Sequence, residues 1–169
     1  MAVDPESLLI MIKCKRIKQM NIRNANKFDL PHILDMLRNF RMQTPIDMMR
    51  DCDNEDYVNK LYHHIILGGG LALIAENEKP FGMIIGVKDH NIWDPELKVL
   101  RELVYWVEPE YRGTTAGYRL LKEYNKQAQQ LVDDGKVKLY TMTKMVNSPD
   151  LDFSRFGYKK TEEVWVAGI

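Results

Sequence analysis

The segment Arg112–Gly117, with the sequence Arg-Gly-Thr-Thr-Ala-Gly, has the residue types best suited to anion binding. It follows an unbroken run of β-branched, aromatic and aliphatic residues, Leu103–Val107, which predicts a strand that Pro109 stops. From Ala116 to Val132 apolar residues recur at helical spacing, which predicts an amphipathic helix. A helix start in this context is an anion site, because its first N–H groups lack partners within the helix and the macrodipole is positive there.

Composition predicts a soluble protein with a substantial core. The chain has 169 residues, 45% of them apolar, and its 24 basic and 24 acidic residues balance. That balance argues against a dedicated nucleic-acid binder, which usually carries a basic excess. The two cysteines, Cys14 and Cys52, predict reduced thiols and no disulfide framework. We find no run long enough for a membrane span and no signal peptide, so we expect a cytoplasmic protein without a membrane partner.

Metal chemistry is not predicted. His63 and His64 are adjacent on a predicted helix, so they face different sides and do not form a ligand pair at i, i+4. The other two histidines, His32 and His90, are isolated along the chain.

We divide the chain into an extension, residues 1–19, and a single domain, residues 20–169. The extension combines an acidic start, a few apolar residues and a basic cluster, which is typical of a flexible arm or an early translation start. The domain pattern begins directly after Met20, which could be the natural first residue.

The predicted element order is β-α-α-β-β-β-α-β-α-β. Asp29 is the expected cap of the first helix, and Asp53 or Asn54 that of the second. This order predicts a layered α/β domain with a mixed sheet. The predicted strands are 21–25, 71–75, 81–87, 99–107, 137–142 and 159–166, and a short helix starts at 148–150 and ends at Gly157.

Order, length and central motif resemble the Gcn5-related N-acetyltransferases, the GNAT superfamily, from Met20 to the C-terminus. The signature loop of that family, Gln/Arg-x-x-Gly-x-Gly/Ala, is matched at Arg112 and Gly117, whereas Thr115 stands at the usual glycine. Near the end, Asn147 and the pair Gly157-Tyr158 match a second family pattern. The resemblance implies a mostly antiparallel central sheet flanked by helices, and it implies acetyl-CoA as co-substrate.

The resemblance also implies where the cofactor binds. The strand residues would pair with the pantetheine arm, a backbone N–H near Val107 would polarise the thioester carbonyl, and the loop would hold the pyrophosphate. The family tyrosine that often protonates the leaving thiolate is replaced by Phe153, which has no proton to give. Tyr140 and Tyr158 are the substitute acid candidates. The implied cofactor-binding residues are Tyr105, Trp106, Val107, Arg112, Gly113, Thr114, Thr115, Ala116, Gly117, Asn147 and Phe153.

Glu102, at the start of the central strand, is the candidate general base. An alkyl amine has a pKa of about 10.4 and must lose a proton before or during acylation. Burial of Glu102 between apolar neighbours would raise its pKa. The alternative interpretation is a solvated strand residue or a partner of a lysine.

We therefore expect an N-acetyltransferase that moves an acetyl group directly to an amine of a small molecule or protein. The alternative is a GNAT-fold coenzyme-A-binding or regulatory protein with little catalysis, which the substitutions Thr115 and Phe153 favour. A nucleotide-phosphate binder of another α/β type is disfavoured, because the chain has no Gly-x-Gly-x-x-Gly and no Walker lysine. Two stretches are expected to shape the acceptor site, namely the first two helices with their link, residues 42–53, and residues 88–97. In the link, Asp47, Asp51 and Asp53 could attract a cationic amine or could equally face solvent. A homodimer is the expected assembly.

Overall fold

The computed structural model describes residues 20–149 and 151–168. The predicted extension and Cys14 therefore lie outside the described residues. Helices and strands follow one another as β1 Asn21–Asn24, α1 Leu30–Arg41, α2 Asp47–Arg50, α3 Glu55–His64, β2 Gly70–Glu76, β3 Pro80–His90, β4 Lys98–Val107, α4 Ala116–Asp133 and β5 Leu139–Thr141. Short 3-10 turns precede α1 and α4 and form residues 153–156, and a π-type turn joins α3 to β2.

The sheet has five strands in sequence order, β1-β2-β3-β4-β5. The first four pair antiparallel, and β5 pairs parallel with β4. This confirms the predicted mixed, mostly antiparallel sheet with flanking helices. The parallel last strand follows from connectivity, because α4 carries the chain back along the sheet before β5 begins.

Helices cover both faces of the sheet, and β2 shows why its sequence is continuously apolar. Leu71 and Leu73 of β2 pack in the cluster that contains α4, whereas Ala72 and Ile74 pack in the cluster that contains α1 and α3. Successive strand residues point to opposite faces, so a strand covered on both sides needs apolar residues at every position.

Strand β4 contains a bulge at Leu103. Val104 is opposite Ile85 and Glu102 is opposite Gly86, which leaves Leu103 without a partner residue on β3. The bulge reverses the alternation of the strand. Leu100 therefore packs with α4 whereas Val104 packs on the other face, although four residues separate the two.

Strands β4 and β5 part soon after they meet. Their pairing covers only Val99–Arg101 of β4, which then continues to Val107, while β5 ends at Thr141. The second half of β4 thus borders an opening rather than a fifth strand. Because the loop after β4 leads directly to the start of α4, that helix start lies at the same opening.

Helix α4 ends as the sequence predicts. Gly135 has a φ of +69° in the left-handed region, and its N–H donates to the carbonyl of Val132 at 2.9 Å. The N–H of Lys136 donates to Leu131, also at 2.9 Å. Glycine is favoured here because it adopts this conformation without the steric penalty of a Cβ.

The predicted last strand, 159–166, is wrong. Residues 158–168 form no strand in the part of the chain that the structure describes, and Val164 and Trp165 are 81% and 88% exposed. An alternating sequence becomes a strand only where a sheet edge supplies partners for its backbone groups. The strand predicted over 137–142 is also shorter than expected, at Leu139–Thr141.

The predicted cap at Asp29 is also wrong. Asp29 does not cap α1; it accepts a hydrogen bond from the N–H of Asn26 at 2.7 Å and pairs with Arg23 at 2.7 Å. Burial opposes ionisation of Asp29, yet the bonds from Arg23 and Asn26 hold its pKa below the usual value. At α3, Asn54 rather than Asp53 is the cap, accepting from the N–H of Tyr57 at 2.9 Å.

A contact between Gly86 and Tyr124 yields a stability prediction. A Cβ added at Gly86 would lie 2.2 Å from the hydroxyl of Tyr124, which is fully buried and cannot retreat into solvent. We expect Gly86→Ala to lower the free energy of unfolding by about 1–3 kcal/mol. Chemical denaturation measures the change.

The matched background is Tyr124→Phe, which removes a buried hydroxyl that has no hydrogen-bond partner in the structure. This substitution alone should be nearly neutral, because no hydrogen bond is lost. In the Tyr124→Phe background, Gly86→Ala should lower the free energy of unfolding by much less than it does in the wild type. An equal cost of Gly86→Ala in both backgrounds would contradict the contact.

Candidate functional site

The main cavity lies where β4 parts from β5, beside the start of α4, and has a volume of about 560 Å³. Its walls come from the second half of β4, the loop and first turn of α4, the end of α1 and the segment after β5. The lining residues are Phe40, Gln43, Glu102, Leu103, Tyr105, Trp106, Val107, Tyr111, Arg112, Gly113, Thr114, Gly117, Tyr118, Thr143, Lys144, Met145, Asn147, Ser148, Pro149, Leu151 and Phe153. The cavity thus joins the predicted base to most of the predicted cofactor residues.

Glu102 is a buried carboxyl in the cavity wall, with 7% of its surface exposed. Its Oε2 accepts a hydrogen bond from the backbone N–H of Thr143 at 3.0 Å. Burial raises the pKa of Glu102 to about 7, although the Thr143 bond acts in the opposite direction. No cation among the described residues forms an ion pair with this carboxyl. The alternative interpretation of Glu102 as a solvated residue or a lysine partner is wrong.

Tyr124 on α4 lies close enough to Glu102 for the charge of that carboxylate to affect the pKa of the tyrosine. Burial raises the pKa of Tyr124, and the negative charge of Glu102 raises it further. Its hydroxyl is buried without a hydrogen-bond partner among the described residues. The sequence identified Tyr124 only as part of the apolar face of the helix, since periodicity does not show where a hydroxyl ends.

Arg112 folds back onto β4. Its Nε donates to the carbonyl of Val107 at 2.8 Å, and its guanidinium lies over the ring of Trp106, 4.3 Å from the centroid. The guanidinium therefore caps the end of the strand and forms part of the cavity wall. The Val107 carbonyl, one of the strand backbone groups that the resemblance implies for pairing with the pantetheine arm, already accepts this bond.

The start of α4 accommodates Thr115 without strain. Thr115 has φ and ψ of −78° and −1°, values open to any residue, and it is exposed and outside the cavity lining. The left-handed position of the loop is Gly113, with a φ of +72°. The family glycine is thus not needed here for backbone conformation, and the threonine does not narrow the cavity.

Two other loop residues shape this helix start. A Cβ at Gly117 would lie 2.8 Å from the hydroxyl of Tyr105, so glycine leaves room for that tyrosine in the wall. The hydroxyl of Thr114 bonds to the carbonyl of Tyr111 and accepts from the N–H of Ala116, whose side chain is fully buried and outside the cavity lining. Thr114 therefore holds the turn closed.

Asn147 and Phe153 line the cavity from the segment that follows β5. The side-chain amide of Asn147 donates to the carbonyl of Gln43 at 2.6 Å, which ties the segment after β5 to the end of α1. In the structure Asn147 thus closes the cavity wall between two chain segments that are far apart in sequence.

Tyr140 and Tyr158 do not line the cavity. The hydroxyl of Tyr158 donates to Asn125 at 2.6 Å, and the two rings meet edge to face with centroids 5.5 Å apart. Burial raises the pKa of both tyrosines, which makes proton loss harder. Nearness in sequence to the family tyrosine does not show where a ring lies in the fold, so it could not predict that both rings pack behind the cavity wall.

The two predicted acceptor stretches fare differently. Gln43 lines the cavity, but no residue of 88–97 does, because the turn between β3 and β4 lies at the other end of the sheet. Asp47 pairs with Arg50 at 2.8 Å, and Asp53 lies 3.5 Å from Arg41. Neither aspartate lines the cavity, and neither does Asp51.

Several lining residues escaped the sequence analysis, among them Thr143, Lys144 and Met145. They follow a very short strand and carry no periodic or motif signal, so only their position opposite β4 reveals them. Across residues 20–149 and 151–168 there is no group of three or more His, Cys, Asp or Glu that could hold a metal ion. None of the helices described is long and apolar enough to span a membrane.

Similar solved structures share the fold at low identity. An acetyltransferase from Clostridium acetobutylicum, predicted as such and solved with acetyl-CoA, has a TM-score of 0.65 and 12% identity, covering 88% of this chain and 96% of its own. A transcriptional regulator from Bacillus halodurans C-125 has a TM-score of 0.64 and 17% identity, and the match covers 89% of this chain and 99% of its own. A soil-metagenome aminoglycoside acetyltransferase, solved with sisomicin, has a TM-score of 0.62 and 17% identity, and the match covers 89% of this chain and 95% of its own.

No curated protein matches the chain. The model of the acetyltransferase (GNAT) family, however, matches residues 34–158, which are most of the chain and include every residue that lines the main cavity. The matched span contains β4, the loop Arg112–Gly117 and α4, which together form the cavity described above. This chain belongs to the GNAT acetyltransferase family.

Proposed function

We propose that this protein is an acetyl-CoA-dependent N-acetyltransferase that moves an acetyl group directly to an amine of a small molecule or a protein. The observation that carries the proposal is Glu102: a buried carboxyl with a pKa of about 7, in the wall of a cavity that also contains an α-helix start. Its pKa lies near neutral pH, which is where a general base works best. Family membership supports acetyl transfer in general terms.

The residues around the helix start fit coenzyme A. The first N–H groups of α4 and the turn at Gly113 suit a pyrophosphate, and Gly117 leaves the wall free of a side chain at the first turn. We propose that Arg112–Gly117 holds the pyrophosphate and that Tyr105–Val107 lines the pantetheine arm. Bound there, acetyl-CoA supplies an activated thioester.

Glu102 would accept the proton that the amine loses. The Thr143 N–H holds Oε2 at 3.0 Å and fixes the orientation of the carboxyl, which leaves Oε1 as the proposed proton acceptor. Burial raises the proton affinity of the carboxylate, which narrows the gap to an alkyl ammonium of pKa about 10.4 and favours transfer of the amine proton as the nitrogen is acylated.

No protein acid is assigned to the leaving thiolate. Phe153 has no proton to give, and Tyr140 and Tyr158 lie outside the cavity lining. We propose that the thiolate leaves without a proton from these tyrosines and is protonated afterwards by water.

The wall near Glu102 supports an acceptor amine with an apolar body. Phe40, Leu103 and Met145 line the same cavity as Glu102 and are not assigned to the cofactor. A small amine next to these side chains would bury apolar surface while its nitrogen reaches the carboxyl.

A cytoplasmic location and a homodimer stay predictions.

The second candidate is a GNAT-fold protein that binds coenzyme A without catalysis. The absence of a tyrosine at Phe153 favours it, and the similar fold of a protein described as a transcriptional regulator is compatible with it. Coenzyme A binding without acetylation across a broad amine panel would favour this second candidate over the first.

Arg112→Ala tests the cofactor site. The substitution removes a positive charge beside the helix start together with the bond to Val107 and the stack on Trp106. We expect acetyl-CoA to bind about tenfold more weakly by calorimetry. Arg101→Ala, on β4 and outside the cavity lining, is the control and should bind normally. Unchanged binding by the Arg112 variant would contradict the assignment.

Glu102→Gln tests the base. We expect kcat to fall by about 10²- to 10⁴-fold while the Kd for acetyl-CoA stays the same, because the amide cannot accept the proton. For the wild type, kcat/KM should rise with pH and level off above about 7, and the variant should lose this inflection. Glu123→Gln on α4, outside the cavity lining, is the control. A variant with wild-type rates and an unchanged profile would rule out Glu102 as the base.

The raised pKa of Glu102 also predicts a pH effect on stability. In the unfolded chain the carboxyl ionises near pH 4.5, and in the folded protein near 7, so unfolding releases a proton between these values. The contribution of Glu102 is therefore largest at low pH and is lost as pH rises from about 4.5 to about 7. Between pH 4.5 and pH 8 the free energy of unfolding of Glu102→Gln should therefore rise by about 3 kcal/mol relative to that of the wild type. Denaturation at both pH values measures this, and a pH-independent difference would contradict the burial argument.

A further inference from the structure

A second cavity, of about 430 Å³, lies at the opposite end of α4 from the main cavity. Helix α4 has 18 residues, so the two sites are separated by roughly 27 Å along its axis. The walls of this second cavity come from the end of α3 and the π-type turn, from both sides of the β3–β4 turn and from the loop after α4. The lining residues are His64, Gly68, Gly69, Lys88, His90, Glu96, Lys98, Gly135, Lys136, Val137 and Lys138.

Four lysines line this cavity against one carboxylate, Glu96, which leaves a formal excess of three positive charges, although the whole chain is neutral. Lys136 pairs with Asp134 at 3.0 Å. Among the described residues no carboxylate lies within ion-pair distance of Lys88, Lys98 or Lys138. The charge excess is therefore local and largely uncompensated.

The lysines converge from separate parts of the chain. A cation after a helix end is favourable with the macrodipole, and this accounts for Lys136. Lys88 and Lys98, however, come from β3 and β4. The pKa of Lys88 is lowered by burial and further by the charges of Lys136 and Lys98, so the three ammonium groups lie close enough to repel one another. A bound anion would remove that repulsion.

The walls also suit a small ligand. Lys88 already donates to the carbonyl of Gly68 at 2.8 Å, which fixes its ammonium group at the cavity edge. A Cβ at Gly69 would lie 2.3 Å from the His64 ring, so the imidazole lies directly over this glycine. The ring nitrogen Nδ1 of His90 donates to the carbonyl of Pro95 at 2.7 Å, since a carbonyl can only accept, and the ring is thereby oriented.

We propose that this lysine cavity is a second binding site, separate from the acetyl-transfer site, for a small phosphate-bearing anion with two or more negative charges. Ammonium groups and imidazole N–H donors form strong charge-assisted hydrogen bonds to phosphate oxygens. A volume of about 430 Å³ is that of a small-molecule site and accepts one phosphate ester or pyrophosphate group with its immediate substituent.

The test is a titration of the full, isotope-labelled chain with inorganic pyrophosphate, followed by NMR. We expect saturable shifts of the amides of Gly68, Gly69 and Gly135, and the same shifts when coenzyme A is also present. Shifts confined to Gly113 and Gly117 would place the anion at the start of α4 and overturn the proposal, as would an absence of saturable binding.

Two matched double variants complete the test. Lys98→Gln/Lys138→Gln removes two charges from the cavity and should weaken pyrophosphate binding at least about tenfold. Lys60→Gln/Lys126→Gln removes two exposed charges elsewhere and should leave binding unchanged. Equal weakening in both variants would mean a general charge effect and would overturn the site.

A vesicle arm distinguishes a soluble anion from a lipid headgroup. In cosedimentation with phosphatidylserine vesicles we expect no binding that depends on Lys98 and Lys138. If those lysines support vesicle binding while inorganic pyrophosphate fails to bind, the proposal of a small soluble ligand is wrong.

Discussion

The bulge at Leu103 is the constraint on which the rest of the site depends. One unpaired residue in β4 reverses which side chains face which helices, so Leu100 packs with α4 and Trp106 packs with α1. Without it, a strand of period two would keep these residues on one face. The bulge lies directly after Glu102, at the point where β4 leaves β5, so the same irregularity borders both the base and the opening.

Burial and charge act differently at the two ends of α4. Beside its start, burial raises the pKa of the Glu102 carboxyl, and no cation among the described residues forms an ion pair with it. Beyond its end, burial lowers the pKa of Lys88, and the nearby ammonium groups of Lys136 and Lys98 lower it further. A chain with no net charge thus carries two local electrostatic environments of opposite kind, which total composition cannot reveal.

Much of the fold could be predicted because its signals are local. The apolar run of β2, the period of α4 and the stop at Gly135 depend on neighbouring residues, and the structure agrees with each. The strand predicted over 159–166 failed for the opposite reason, since a strand needs an edge that only the rest of the fold supplies. Asp29 has the residue type of a cap, but Arg23 of β1 binds it instead.

The sequence by itself determined the loop Arg112–Gly117, the helix that follows it and the family they resemble, because spacing along the chain carries that information. Only the tertiary structure decided which residues meet there. It buried Glu102 under Thr143, left Thr115 outside the cavity and turned Tyr158 towards Asn125. Of these outcomes, the burial of Glu102 depends on where β4 and β5 part, next to a one-residue bulge, and a bulge leaves no periodic signal in the residues it rearranges.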